Sequence, residues 1–428
     1  MNVVLIGSGG REHALARKIS KSKSLSKLYI LPGNPGTGAL GENVNVDVSN
    51  FDETYNFCFE NEISFVIIGP EQPLVDGLGD FLIEKGLKVF GPTKAAAQIE
   101  GDKSFSKNLM KNYGIPTASF EVFDKEDYEN ALTYVKTAKY PLVVKASGLA
   151  AGKGVLICED QNSAVSAIKE CFKDGAFGAA GDKVVVEEFM YGFEASLFAI
   201  TDGTDFISLP IAQDHKRIGD GDTGKNTGGM GAYAPAPLVD SKLQEEVEKI
   251  IIQPTLDAMK SENAPFVGCL YCGLMITSEG PKVVEFNCRF GDPETQVVLP
   301  LLEGDFLQLL YSAAAGKIDK NSVKYSGGAA ICVVASSKGY PGSYKKGLKI
   351  TGIEDAESEE IVVYHAGTKK EGNDIVTSGG RVLGVTAVSK ENDLKACKTK
   401  AYEGIDKIKF DGIYFRKDIS DKAFQNLD

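Results

Sequence analysis

The chain has 428 residues, too many for a single hydrophobic core, so two to four domains are expected. Its 43% hydrophobic and 25% charged content is that of an ordinary soluble globular protein. A formal net charge of -12 argues against nucleic acid or an anionic membrane as partner, since either needs a clustered cationic excess; a local basic pocket for a phosphorylated small molecule stays open.

The first ten residues, MNVVLIGSGG, hold an apolar run too short for an export signal and suited to a buried strand. No apolar run approaches the ~20 residues that cross a bilayer. Eight scattered cysteines without export signals read as reduced thiols of a cytoplasmic protein. Cys269 and Cys272 form a lone CxxC inside an apolar run, which reads as buried strand rather than a zinc site.

Strands are expected at 3–7, 27–31, 65–69 and 87–91, separated by helix-length stretches such as REHALARKIS. This alternation predicts a Rossmann-like parallel sheet over 1–101, with ligands beyond the carboxyl ends of strands, where GSGG, PGNPG, GPEQPL and FGPTK fall. GSGG is nonetheless not a dinucleotide fingerprint. The third glycine of G-x-G-x-x-G is replaced by Glu12, and the second strand runs into LPGNPG without an acidic residue for a ribose. An anion site at a helix N-terminus and a plain tight turn both remain open there.

Residues 102–325 read as a second region, with 120–190 as a mobile subdomain carrying strands at YPLVVKAS and DKVVVEEF. Lys145 ends the first of these, and a loop with three glycines and Lys153 follows. The loop lacks the Ser/Thr of a Walker A motif but has the parts of a phosphate cradle; a solvated hairpin turn is the alternative. Glu187-Glu188-Phe189 is either surface or a linker that reads adenine and ribose. From 190 to 325 longer antiparallel strands are expected, with a hairpin across 277–281. In KVVEFNCRFGDPETQ (282–296), a period of two puts Val283, Glu285, Asn287 and Arg289 on one face, and Val284, Phe286 and Cys288 on the other. Glu285 and Asn287 offer hard oxygens to Mg²⁺, and Arg289 could stabilise a transferring phosphoryl group. Residues 326–428 form a third, small β-rich region.

Six of the nineteen residues in QDHKRIGDGDTGKNTGGMG (213–231) are glycine and seven are charged or histidine. Such a segment cannot order itself by burying apolar surface.

GSGGREHA (7–14), GPEQPL (69–74), VVKASGLAAGKGV (143–155), VVEEFMYGFEAS (185–196), the stretch 213–237 and VEFNCRFGDPETQ (284–296) together resemble phosphoribosylamine–glycine ligases (glycinamide ribonucleotide synthetases), which are ATP-grasp enzymes. The resemblance runs along the whole chain. It implies an α/β and α+β multidomain protein with an ATP-grasp fold. It also implies ligation of glycine to 5-phosphoribosylamine in purine synthesis, with ATP going to ADP and phosphate through a glycyl phosphate. No nucleophilic side chain is then required, because the activated species is the substrate. By the same resemblance Lys103, Lys145, Ser147, Gly148, Gly152 and Gly154 contact ATP phosphates. Glu187, Phe189 and Glu194 belong to the adenine and ribose linker. Glu285 and Asn287 bind Mg²⁺ or Mn²⁺, Arg289 acts at the acyl-phosphate centre, and Lys216 is catalytic from the substrate cleft. Gly9, Gly10, Arg11, Asp214 and Asp292 bind substrate. The strand at 266–277 carries no carboxylate for a further metal. The 213–231 stretch is expected to be a loop that stays mobile until ligands bind, with His215 outside acid–base work and His13 and His365 structural. A cytoplasmic monomer or weak homodimer, in transient contact with the upstream amidotransferase, completes the expectation. Other ATP-grasp ligases, a silent nucleotide-binding regulator and an NAD-dependent oxidoreductase are the competing readings.

Overall fold

A computed structural model describes residues 1–150 and 154–424 of the chain. The first region is a five-stranded, all-parallel sheet in the order Glu42–Asn43, Lys27–Pro32, Asn2–Gly7, Ile63–Ile68, Lys88–Phe90. Val3 and Leu5 face one core cluster while Val4 and Ile6 face another, so the central strand is buried on both sides. That is why it reads as an unbroken apolar run and not as an alternation.

A small antiparallel sheet follows, in the order Phe120–Asp124, Lys183–Glu188, Leu142–Ala146, Val155–Cys158. The helices Tyr128–Thr137 and Gln161–Phe172 bury Ala131, Val135, Ala164 and Ile168 in the same core as its strand residues Leu142, Val144, Val184 and Val186. Across from it lies a second antiparallel sheet built on Phe193–Asp202, Val267–Thr277 and Gly280–Asn287, the last two joined by the expected hairpin. Cys269 and Cys272 are buried in this sheet in different core clusters, so they share no ligand.

Two features differ from the sequence expectation. The first is a register shift opposite Gly273–Leu274, where the chain passes from Glu285 to Val283 with Val284 extra. This β-bulge breaks the strict alternation, and Val283 joins Phe286 and Cys288 in the core instead of sharing a face with Glu285. The second concerns the glycine-rich stretch. Gln213–Asp214 and Gly231–Ala234 are strands of a six-stranded sheet whose other members, Ala329–Ser337, Arg381–Ser389, Ile361–His365 and Ile413–Tyr414, come from beyond residue 325. The boundary drawn at 325 from sequence cuts through that sheet. Between the two strands, Arg217–Gly219 and Thr223–Asn226 pair as a hairpin. The stretch is thus ordered by long-range pairing, which local composition does not register.

Candidate active site

The cleft is lined by strand ends and helix starts from all three regions. On its nucleotide side, Asp102 caps the helix Lys103–Tyr113, accepting from the backbone N–H groups of Ser104 and Phe105. Asp102 also accepts from the Ser147 hydroxyl at 2.6 Å, and Ser147 Oγ in turn accepts from Ser104 N at 2.9 Å. Ser147 thereby locks the end of the Leu142–Ala146 strand to the start of the helix, instead of standing free for phosphate. Lys103, the first residue of that helix, reaches the Gly148 carbonyl at 3.1 Å. Gly148 is required by closeness, since a Cβ there would lie 2.7 Å from the backbone of Ala180. Gly154 carries a similar constraint, 2.8 Å from the Ala150 side chain. Gly152 lies outside the described residues.

Lys145 is buried and pairs with Glu187 Oε2 at 2.9 Å, while donating to the Val284 carbonyl freed by the bulge at 3.2 Å. Glu187 is 3% exposed and also pairs with Lys107 at 3.2 Å. It therefore holds lysines in place and does not project into the adenine linker. Burial opposes its ionisation, but Lys145 and Lys107 bring its carboxyl below the ordinary range. Lys107, which the sequence reading missed, is lowered by burial to about 8. Phe189 stays in the linker, edge-on to the exposed ring of Tyr191 at 5.1 Å.

The guanidinium side centres on Glu71, from GPEQPL. It lies 3.2 Å from Arg289 and 3.9 Å from Arg11. Although burial works against it, these two arginines hold the Glu71 carboxyl at about 2. Arg289 also pairs with Glu100 at 2.8 Å and donates to Asn287 Oδ1 at 3.2 Å. Glu12 explains the failed dinucleotide motif: its carboxylate fills the space beside Gly7 and Gly69 and takes the Gly9 N–H at 2.7 Å. That N–H is thus already used at the helix start, and what Gly9 offers a substrate is closeness rather than a donor. Gly10 faces Gln296 and Asp292, and Asp292 pairs with Arg381 of the last region at 3.2 Å.

A third group surrounds Lys216, which pairs with Glu194 at 2.9 Å and Asp214 at 3.1 Å. Tyr271 links Ser196 at 2.9 Å to Glu294 at 2.6 Å beside them. One ammonium serves two carboxylates: Glu194 is lowered by Lys216, whereas burial together with Glu294 and Glu194 raises Asp214 to about 7 despite Lys216. His215 is fully buried and lowered by burial to about 3, which keeps it neutral and out of proton transfer. His13 and His365 are buried against each other, the His365 N–H donating to His13 Nδ1 at 2.8 Å.

Cations from all three groups act on Glu285. Burial opposes its ionisation, but Lys145, Lys103, Lys216 and Arg289 together hold its carboxyl below the ordinary range. Glu285 and Asn287 give two hard oxygens, which fits a divalent ion that keeps water and phosphate as its other ligands. Among the described residues no three His, Cys, Asp or Glu side chains gather into a closed metal cage. Of the missed residues, Lys107, Glu100 and Glu294 are buried, the first two in ion pairs and Glu294 on Tyr271, while Glu71 and Arg381 are partly exposed and paired. Of these only Glu71 and Glu294 sit inside stretches that the sequence had singled out.

Two antiparallel sheets facing one another, with lysines from one and a Glu-x-Asn strand from the other converging on the gap, define an ATP-grasp enzyme. Three family descriptions match in succession: "Phosphoribosylglycinamide synthetase, N domain" over 1–100, "ATP-grasp (A) domain" over 101–295 and "C domain" over 330–422. The chain belongs to the phosphoribosylamine–glycine ligase family. It is 48% identical over 420 residues to the phosphoribosylamine–glycine ligase of Caldanaerobacter subterraneus subsp. tengcongensis, covering 98% of this chain and 99% of that one. It is 46% identical over 429 residues to the trifunctional purine biosynthetic protein adenosine-3 of Gallus gallus, covering 99% of this chain and 42% of that longer one. The crystal structure of phosphoribosylamine–glycine ligase from Thermotoga maritima superposes with a TM-score of 0.85 at 33% identity, covering 98% of this chain and all (100%) of that one. The biotin carboxylase domain of Hydrogenobacter thermophilus 2-oxoglutarate carboxylase, 16% identical with a TM-score of 0.76 over 97% of this chain and 91% of that one, shares the fold. No helix among the described residues is long and apolar enough to cross a membrane.

Proposed function

We propose that the cleft centred on Glu285 carries out the family's reaction with the residues just described. The chain is a carbon–nitrogen ligase that joins glycine to 5-phosphoribosylamine at the expense of ATP, in purine biosynthesis. Lys103 and Lys145, with the close approach allowed at Gly148 and Gly154, hold the ATP phosphates. Arg289 and Lys216 stabilise the charge that develops as the γ-phosphoryl passes to the glycine carboxylate. The amine of phosphoribosylamine then attacks the carbonyl of glycyl phosphate, and phosphate leaves. Arg11 and Asp292, with the close approach allowed at Gly9 and Gly10, receive the phosphoribosyl part, and Asp214 lies beside Lys216 where the amine arrives. Glu285 and Asn287 would hold Mg²⁺ or Mn²⁺, which offsets phosphate charge when bound. The enzyme acts as a cytoplasmic monomer or weak homodimer, and the instability of its amine substrate favours brief contact with the upstream amidotransferase.

The observation that carries this reading is the set of cations Lys103, Lys145, Lys216 and Arg289, which together favour the charged form of the Glu285 carboxylate within a chain of net charge -12. It is tested by Mg²⁺-dependent ADP release. Release is expected only when glycine and freshly generated phosphoribosylamine are both present. Release with a different carboxylate and amine pair, or none at all while ATP still binds, would overturn the substrate assignment.

A further inference from the structure

Arg416 is the largest side chain in the molecule that is fully buried among the described residues, at 0% exposure. Burying a guanidinium is costly even when it is paired, so its presence calls for a role beyond stability. Four hydrogen bonds from its guanidinium are spread across two segments far apart in sequence. Nη1 donates to Asp222 Oδ1 at 2.9 Å and to the Arg217 carbonyl at 3.0 Å, both in the 217–226 hairpin. Nε and Nη2 grip Asp418 at 2.8 and 2.6 Å. Asp418 itself accepts from the Gly221 N–H at 2.8 Å. Lys417 N donates to Asp220 at 2.8 Å, Tyr414 OH donates to the Ile218 carbonyl at 2.9 Å, and Lys422 pairs with Asp222 at 2.5 Å. The segment holding the hairpin is itself anchored, because Tyr414 pairs with Ser336 and the Tyr402 hydroxyl donates to the Arg416 carbonyl at 2.8 Å.

The other end of the hairpin is Lys216. Its carbonyl accepts from both the N–H and the hydroxyl of Thr227 at 2.8 Å, and its ammonium is the one set between Glu194 and Asp214. We propose that the segment 413–422 is a strap that holds the 217–226 hairpin and so sets Lys216 for ligation, with Arg416 as the positioning residue. The inference rests on the role given to Lys216 above. It assigns the C-terminal region a part in catalysis although Arg416 touches none of the lining residues of the cleft. It also accounts for the fixing of a stretch with six glycines in nineteen residues: the strap supplies contacts that its own side chains do not.

The strap makes no hydrogen bond or ion pair to Lys103, Lys145, Glu285 or Asn287 among the described residues, so the two halves of the site separate in a measurement. In Arg416→Ala, kcat for ligation is expected to fall about 100-fold, the size of effect that follows from misplacing a reacting group by about 1 Å. The ATP dissociation constant is expected to change far less, by no more than a few-fold, since Lys103 and Lys145 keep their places and only Glu194, the partner of Lys216, borders the nucleotide. Should Arg416→Ala not fold, Asp222→Asn decides, because it releases the same guanidinium from a half-exposed partner. It is expected to lower kcat about 10-fold and to speed hydrogen exchange of the 217–226 amides, with partial effects in Arg416→Lys, whose single ammonium lacks the fork. Faster hairpin exchange with unchanged kcat would overturn the strap, as would equal losses of kcat and ATP affinity. Lys216→Ala separates the two levels. If it abolishes turnover while Asp222→Asn does not change it, the strap alone is wrong; if Lys216→Ala keeps full turnover, the assignment of Lys216 falls and the strap's role falls with it.

Discussion

At the scale of single residues, the trio Lys107, Glu187 and Lys145 sets one carboxylate between two ammonium groups, at 3.2 and 2.9 Å, with all three side chains nearly excluded from water. The arrangement has a use. On the proposed placement of ATP, a Lys145 drawn to phosphate would leave Lys107 to compensate Glu187, so the carboxylate is not stranded. Two substitutions separate the charges. Glu187→Ala leaves two buried ammoniums facing each other and is expected to cost about 3–5 kcal/mol of stability. Lys107→Met leaves a neutral Glu187–Lys145 pair and should cost far less, but it ties Lys145 more firmly to Glu187. The expected consequence is weaker ATP binding, by about tenfold, which corresponds to about 1.4 kcal/mol. Urea unfolding and ATP titration measure the two quantities. Equal destabilisation by both variants, or unchanged ATP affinity in Lys107→Met, would contradict this account.

Among the elements, the helix Lys103–Tyr113 shows how a local signal becomes a functional one. Its cap, Asp102, accepts four hydrogen bonds, and one of them comes from Ser147, just past the end of the Leu142–Ala146 strand. Asp102→Ala removes the cap, worth roughly 1 kcal/mol, and leaves the buried Ser147 hydroxyl without its acceptor. A loss of about 2 kcal/mol is therefore expected, together with a raised KM for ATP, because Lys103 is the first residue of the helix. A stability loss with unchanged KM would mean that the cap serves only the helix. Such local signals made much of the fold legible: the apolar runs located the parallel strands, and the turn at 277–281 located the hairpin. The Glu-x-Asn row was legible as chemistry, but its neighbour Val283 was misplaced because a bulge leaves no mark in a period of two. Arg416 and Arg381 were not legible at all. Arg416 stands beside Lys417 and Arg381 opens an apolar run, and the meaning of each comes from partners about 90 to 200 residues away. The order of the 213–231 stretch was lost for the same reason, since its composition describes a loop and its pairing lies in another region.

For the molecule as a whole, the seams between regions are where neutral histidines are buried. His13 from the first region abuts His365 from the last, their rings 5.7 Å apart, and His215 lies under the strap. Burial lowers all three, His13 and His215 to about 3 and His365 to about 4, from a usual value of 6.5. A base whose folded value is depressed contributes stability that is complete above its unfolded value and is lost as pH falls toward the folded one. The window is therefore about pH 6.5 down to 4, where each histidine removes roughly 1.4 kcal/mol per pH unit. Asp214 acts in the opposite sense over the same window: its raised value, about 7, makes the folded state bind the proton more tightly, which favours folding as pH falls. Three histidines against one aspartate leave a net loss near 3 kcal/mol per pH unit, by the same linkage. Urea unfolding between pH 4 and 8 should accordingly show stability collapsing below about pH 6, with the slope reduced by roughly half in His215→Gln, since about one of the net two protons is removed there. A flat profile from pH 6.5 to 4.5 would show that these rings protonate without unfolding the seams, and hydrogen exchange at 213–216 and 363–366 would locate where the opening begins instead.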